Sequence, residues 1–415
     1  MVHVAVIGAG VVGATTADAL LRAGHRVTLF EQAPEAASGA SAANGGQLSY
    51  SYCDAMANPA LLARLPGALL GRDAGMQCRL AVAPDFWRWA MAFAASSRHC
   101  QRHSDALHRL AAESATLMQR YHEDLGPRYC YREAGKLVLL GAAPDRADQA
   151  RYAAKRRTGI DLRVLSPAEA LAVEPALANW QGQFAAALYA PGDEVGDAQR
   201  FARALVNQLQ NQGMALKMGS AVRQIEREAT GSLRVSGSDF SETVDRAVLC
   251  TGSIPSHLDR FLARRYPVYP VTGYSLTLPV GAASTSVSIT DLSSKVVLCR
   301  LHDQLRVAGY ADLNLTPEQH RQRIRALQNH ARRLAPDMAA WDCEPSSWTG
   351  HRPMTPASMP HIEETPVPGL FVNLGHGMLG WTLAAGSAAR VAQLVSRSRP
   401  RSAKLPVTRH SPQHG

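Results

Sequence analysis

The chain opens Val2-His3-Val4-Ala5-Val6-Ile7-Gly8-Ala9-Gly10-Val11-Val12-Gly13, continues Ala14-Thr15-Thr16-Ala17-Asp18-Ala19-Leu20-Leu21-Arg22-Ala23-Gly24, and then reads Arg26-Val27-Thr28-Leu29-Phe30-Glu31. The first run is mostly apolar and β-branched, as a buried parallel strand should be. Gly8, Gly10 and Gly13 follow at once in G-x-G-x-x-G spacing. In that pattern the first glycine allows a tight turn, the second lets a pyrophosphate approach the backbone, and the third lets helix and strand pack closely. The helix that follows, with Val11 and Val12 in its first turn, would aim free N–H groups and a positive dipole end at phosphates. Gly24 stands where a left-handed residue ends a helix. The second strand ends in Glu31, placed to accept ribose hydroxyls. Gln32 rather than arginine after that acid argues against a 2′-phosphate. The stretch predicts a dinucleotide site and leaves NAD and FAD both open; the competing explanation is a glycine-rich turn with no ligand.

With 415 residues, 46% of them hydrophobic and 19% charged, the chain has core enough for two to three domains and is not wholly disordered. The most apolar stretch, Leu80 to Ala95, is broken by Asp85 and Arg88, so no membrane span is expected. The first strand starts at Val2, which leaves no room for a signal peptide in this sequence. The seven cysteines are scattered and none forms C-x-x-C. They read as reduced thiols of a cytoplasmic protein, with no metal site expected. Net charge is +10. It fits anionic lipid, nucleic acid, an anionic substrate or simply an arginine-rich composition. The clear basic cluster is the tail from Ser396, with Arg397, Arg399, Arg401, Lys404 and Arg409. A tail of this composition reads as disordered; weak attraction to the inner face of a membrane is the functional alternative.

After Glu31, the stretch Ser38 to Ser49 has no amphipathic period. Its small residues suit a backbone laid against a flat ligand, with Ser41, Asn44, Gly45, Gly46, Gln47 and Leu48 as candidate contacts. Helices are expected from Asp85 and again through Leu107 to Tyr121, then strands at Lys136–Leu140 and Phe184–Ala190. Gly219 to Ile225 reads as a short strand beside an adenine, with Val222 in contact, and Ala247 to Gly252 as a buried strand ending in Thr251-Gly252. Past Pro255 the pattern turns antiparallel: Val268 to Leu278, then a hairpin turning at His302-Asp303-Gln304. Near the C-terminus, a strand at Gly369–Leu374 leads into the glycine-rich turn Gly375 to Thr382 and a helix from Leu383. Strand, glycine turn and helix are thus built a second time. A helix N-terminus favours developing negative charge, which a reduced flavin carries and NAD would not use. No second G-x-G-x-x-G occurs in the chain.

Taken together, Gly8–Gly13 with Glu31, Ser41-x-x-Asn44-Gly45-Gly46-Gln47, Gly273-Tyr274-Ser275, Arg352-Pro353-Met354-Thr355-Pro356 and Gly375–Thr382 resemble the bacterial D-amino acid dehydrogenases. These belong to the D-amino acid oxidase, glycine oxidase and sarcosine oxidase group of flavoproteins. The resemblance runs from Val2 to about Val395. It implies an α/β architecture: a discontinuous Rossmann-type FAD domain (1–80, 145–258 and 345–395), a substrate domain with a mixed or antiparallel sheet and helices (81–144 and 259–344), and a basic tail (396–415). It implies FAD as cofactor, with hydride passing from the Cα of a D-amino acid to flavin N5. The resulting imino acid hydrolyses to a 2-oxo acid and ammonia, and electrons go on to a quinone or another carrier. It further implies that Arg352 holds the substrate carboxylate and that Gly377, Met378, Leu379, Gly380, Trp381 and Thr382 contact the flavin ring. The family's proline-glycine-tyrosine run after the glutamine is here Ser49-Tyr50-Ser51-Tyr52, with Tyr52 as the candidate substrate-facing tyrosine. Tyr274, His351 and His376 are candidates for influencing the proton on the substrate amine. Some relatives oxidise hydroxy-D-proline, some are subunits of homo- or hetero-oligomers, and one related type forms part of a tRNA-modifying protein. No RNA-binding module is recognisable here, so nucleic acid is not the expected partner.

Overall fold

The computed structural model describes residues 1–157 and 159–398. Its organising layer is a six-stranded sheet ordered His361–Glu364, Leu370–Leu374, Arg246–Leu249, His3–Ile7, Arg26–Phe30 and Ala215–Lys217. All neighbours are parallel except the first pair. Alternation within these strands sends side chains to two separate cores. Val4, Val6, Val248 and Phe371 pack under the helices Val11–Arg22, Cys100–Leu125, Ala198–Asn211 and Gly380–Arg397. Ala5, Ile7, Ala247, Leu249 and Val372 face the other way, onto a three-stranded antiparallel sheet through Leu233, Val235 and Val244.

A second sheet has eight strands, ordered Ser346–Met354, Tyr269–Pro279, Gln304–Asp312, Val296–Leu301, Ser288–Asp291, Lys136–Leu140, Ala186–Ala190 and Arg163–Leu165. It is antiparallel except where Ser288–Asp291 runs parallel to Lys136–Leu140. The helix Pro317–Leu334 packs on it. That helix opens with a complete capping box, in which Thr316 and Gln319 satisfy each other's backbone N–H groups.

Several expectations change here. The strands Arg163–Leu165 and Ala186–Ala190, placed by sequence with the dinucleotide part, belong to the eight-stranded sheet, as does Ser346–Met354. The helix Cys100–Leu125, placed with the substrate part, buries Leu107, Leu110 and Met118 in the dinucleotide core. Gly219 to Arg223 is not a strand; the strand begins at Gln224. The last helix begins at Gly380 rather than Leu383 and runs through Arg397, so it takes in the first two residues of the expected tail. Residues 399–415 lie outside the described residues. Among the described residues no helix is long and apolar enough to cross a membrane.

Candidate active site

A cavity of about 1050 Å³ lies between the two sheets. Of the residues read from the sequence as candidate catalytic or cofactor contacts, all but Gly13, Gly46, Leu48 and His351 line it. The exceptions have plain causes. A Cβ on Gly13 would stand 1.7 Å from the Gly8 carbonyl oxygen, so this residue sets how closely helix meets turn rather than meeting a ligand. Gly46 presents its carbonyl to the Gly196 N–H and the Cys299 thiol, and the Leu48 side chain is in the core. His351 neighbours Arg352 on a strand, so it faces the opposite side; it is exposed and bonds Thr272.

The cavity's first wall is the glycine turn. Gly8 has φ of +104°, which a side chain would strain, and its N–H is bonded to the Phe30 carbonyl. Gly10 caps the first helix with no side chain. The Val11 N–H donates to Ser41 Oγ at 3.2 Å. The Glu31 carboxylate accepts from the Ala9 N–H at 2.7 Å and the Ala33 N–H at 3.0 Å, which fixes it beside the turn.

Along the floor, Asn44 Oδ1 accepts from the Gly46 N–H, and its carbonyl accepts from Arg306, itself paired with Asp197. Gln47 lies between Thr290 and the Lys136 ammonium, and Thr382 Oγ1 accepts from the Ser49 N–H. The last helix presents Gly380, Trp381 and Thr382 to this floor.

The far wall belongs to the eight-stranded sheet. Arg352 crosses Gly273: a Cβ there would lie 2.3 Å from the guanidinium. Arg352 Nη1 donates to the Tyr310 carbonyl at 2.7 Å. Burial lowers the Arg352 pKa, with Asp312 and Tyr274 opposing, so a carboxylate arriving here would be welcome. Tyr274 borders the cavity, but its hydroxyl is bonded to His320 Nδ1 at 2.8 Å. Tyr52 is a neutral phenol, its pKa pushed up by burial and then by Asp54.

Sequence reasoning missed Lys136, whose ammonium donates to Gln47 Oε1 at 3.0 Å and to Ser49 Oγ at 2.7 Å. The signal was there: a lysine opening an otherwise apolar strand. It also missed Tyr310, which has φ of +64° and carries the Arg323 guanidinium 3.8 Å from its ring centroid.

His376 is buried on the cavity wall. Ser387 Oγ already donates to the Ala384 carbonyl, so the ring N–H on Nε2 donates to that oxygen at 3.0 Å. Burial, and next His361, bring its pKa down to about 3. The ring is therefore neutral in the fold and charges only in acid. Because the unfolded chain takes up this proton near pH 6.5, its contribution is complete above that pH. It is lost as pH falls toward 3, at a cost on the order of 4 kcal/mol. Unfolding measured from pH 7 to pH 4 should show a shallower loss in His376→Asn than in the unsubstituted protein; equal slopes would contradict the assignment.

Over most of its length the chain is similar to D-amino acid dehydrogenase 2 of Ralstonia nicotianae (34% identical, covering 97% of this chain and 99% of that protein). It is also similar to a D-amino acid dehydrogenase of Dechloromonas aromatica (36% identical, 96% and 98% covered). A solved glycine oxidase from Geobacillus kaustophilus shares the fold, with TM-score 0.71 at 22% identity, covering 99% of this chain and all of that one. The family described as FAD dependent oxidoreductase matches residues 3–394, and this chain belongs to it.

Proposed function

We propose that this protein is a D-amino acid dehydrogenase: it oxidises a D-amino acid at Cα to the imino acid, which water converts to a 2-oxo acid and ammonia. The observation that carries the reading is the Arg352 guanidinium, laid across Gly273 on the wall of the cavity that also holds the dinucleotide turn. The names of the full-length relatives support it.

FAD fits the cavity. Its walls offer an open glycine turn, a carboxylate fixed beside it, and a buried Trp381 Nε1 that has no partner among the described residues. Bound FAD supplies the two-electron acceptor. In this reading the helix starting at Val11 faces the pyrophosphate, Glu31 takes the ribose, Val222 lies by the adenine, and Gly377–Thr382 with Gln47 meet the ring. Arg352 fixes the substrate carboxylate and so orients Cα. Glu31→Ala removes a charge-assisted hydrogen bond worth about 1.5–3 kcal/mol. It should weaken FAD binding by roughly 10- to 100-fold; titration of apoprotein with FAD at unchanged affinity would refute the ribose role.

The acceptor in this reading is a quinone or another carrier rather than oxygen, and the basic C-terminal segment could attract the protein to the inner face of an anionic membrane. Anaerobic titration of the yellow protein with D- and L-amino acids tests the reaction: D-enantiomers should bleach it and L-enantiomers should not. Reoxidation then tests the acceptor. Slow recovery in air and fast recovery with a quinone analogue is the expected pair; rapid stoichiometric peroxide with no quinone response would overturn it.

A further inference from the structure

Among the described residues, three cations carried by the eight-stranded sheet and its turns line the cavity without an ion-paired carboxylate: Lys136, held by Gln47 and Ser49, and two others. One of these two is Arg352, whose nearest acceptor is a neutral carbonyl. The other is Lys295. Its ammonium has no hydrogen-bond or ion-pair partner among the described residues, although it borders the cavity and is half-buried. The charged groups around it are spoken for. Arg64 is held by both oxygens of Asp73, at 2.7 Å each. Asp73 also accepts from the Gly75 and Met76 N–H groups, while Asp291 accepts from the Ser293 N–H and the Ser294 hydroxyl.

The stem of Lys295 is held in place. It crosses Gly75 so closely that a Cβ there would stand 2.1 Å from Lys295 Cγ. Its backbone has φ of +58°, and that of Tyr310 +64°, two left-handed side-chain-bearing residues at one point. Strain of this kind persists where surrounding structure enforces it, and it clusters at ligand sites. The Lys295 carbonyl accepts from the Tyr310 N–H at 3.4 Å, and the Tyr310 carbonyl accepts from Arg352. Lys295 and Arg352 are thus tied to the two ends of a single residue. The glycine turn that would face a pyrophosphate is on the other sheet, whereas Lys295 shares the Tyr310 side of the cavity with Arg352. Burial and the nearby Arg64 lower its pKa, with Asp73 and Asp291 opposing only in part, and the remaining cost is one that an incoming anion would offset.

We propose that Lys295 selects the substrate side chain, making this a dehydrogenase for acidic D-amino acids: Arg352 takes the α-carboxylate and Lys295 the side-chain carboxylate of D-aspartate or D-glutamate. The proposal rests on the D-amino acid reading above. It follows from matching Arg352 and Lys295, the two cations tied to Tyr310, to two carboxylates in one molecule.

The test measures kcat/KM of the FAD-loaded protein for D-glutamate, D-aspartate, their neutral isosteres D-glutamine and D-asparagine, and D-alanine. A charge-assisted contact predicts a preference of about 10- to 100-fold for each acid over its amide. Lys295→Met keeps the stem and should erase that preference, measured as a ratio within the same variant so that loss of folded protein cancels. Lys295→Glu should reverse it, with D-lysine gaining over D-glutamate. If D-alanine bleaches the flavin but the unsubstituted protein handles acids and amides alike, or Lys295→Met keeps their ratio, side-chain selection by Lys295 is wrong and the D-amino acid reading stands. If no D-amino acid bleaches the flavin, both fall.

Discussion

Arg352→Ala should lower kcat/KM for D-amino acids by roughly thirty- to a few-thousand-fold while FAD stays bound. An amino acid's constant feature is its carboxylate, and a planar guanidinium matches two oxygens where an ammonium cannot. Removing one member of a buried charge pair costs about 2–5 kcal/mol, which sets the range. The structure adds the reason Arg352 is ready for the task. Gly273 leaves room for the guanidinium to lie flat, and the Tyr310 carbonyl holds Nη1, leaving the other donors for the ligand. Arg352→Lys should recover only part of the loss. An amine lacking the carboxylate should be a poor substrate, and indifferent to the substitution. Turnover of D-amino acids by Arg352→Ala within a few-fold of the unsubstituted protein would remove Arg352 from the site.

Arg323→Ala should cost about 3–5 kcal/mol of stability, because it strands a buried carboxylate. Asp312 is fully buried and takes two bonds from Arg323, at 2.8 and 3.1 Å, besides the Gln77 N–H at 2.7 Å. The same guanidinium covers the Tyr310 ring. Its loss should therefore also raise KM, through the residue that holds Arg352. Adding Asp312→Asn to Arg323→Ala removes the stranded charge while keeping an acceptor for Gln77, and should restore much of the stability without restoring KM. Urea unfolding of the FAD-loaded forms measures the first effect and steady-state kinetics the second. A single-variant loss below about 1 kcal/mol, the range of an exposed pair, would show that Asp312 is not stranded.

The dinucleotide half of the cavity was legible because its signals are local. The strand, glycine turn and acid that build it lie within about thirty residues, and Gly8, Gly10 and Gly13 each answer a steric demand visible in their spacing. The hairpin at His302 was legible for the same reason. The substrate half depends on pairing across strands. Tyr310 meets Arg352 only because Gln304–Asp312 and Ser346–Met354 flank the same central strand. The hydroxyl of Tyr274, a candidate for influencing the amine proton, is bonded to His320, 46 residues away on a packed helix. His351, another such candidate, sits beside Arg352 in sequence, and the strand register turns it away from the cavity. Lys136 and Lys295 carried no motif. What marks them is the company they keep or lack, and only the folded chain shows that.

The six-stranded sheet also sets an order of events during synthesis. Its strand His3–Ile7 is made about 240 residues before its neighbour Arg246–Leu249, and about 370 before Leu370–Leu374 and the helix behind it. At about 5–20 residues per second, a ribosome needs roughly 20–70 s between the first and last of these strands. Throughout that interval the nascent glycine turn lacks the wall that Gly377–Thr382 will supply. On the proposed reading, a flavin can be enclosed on both sides only after that segment has been made.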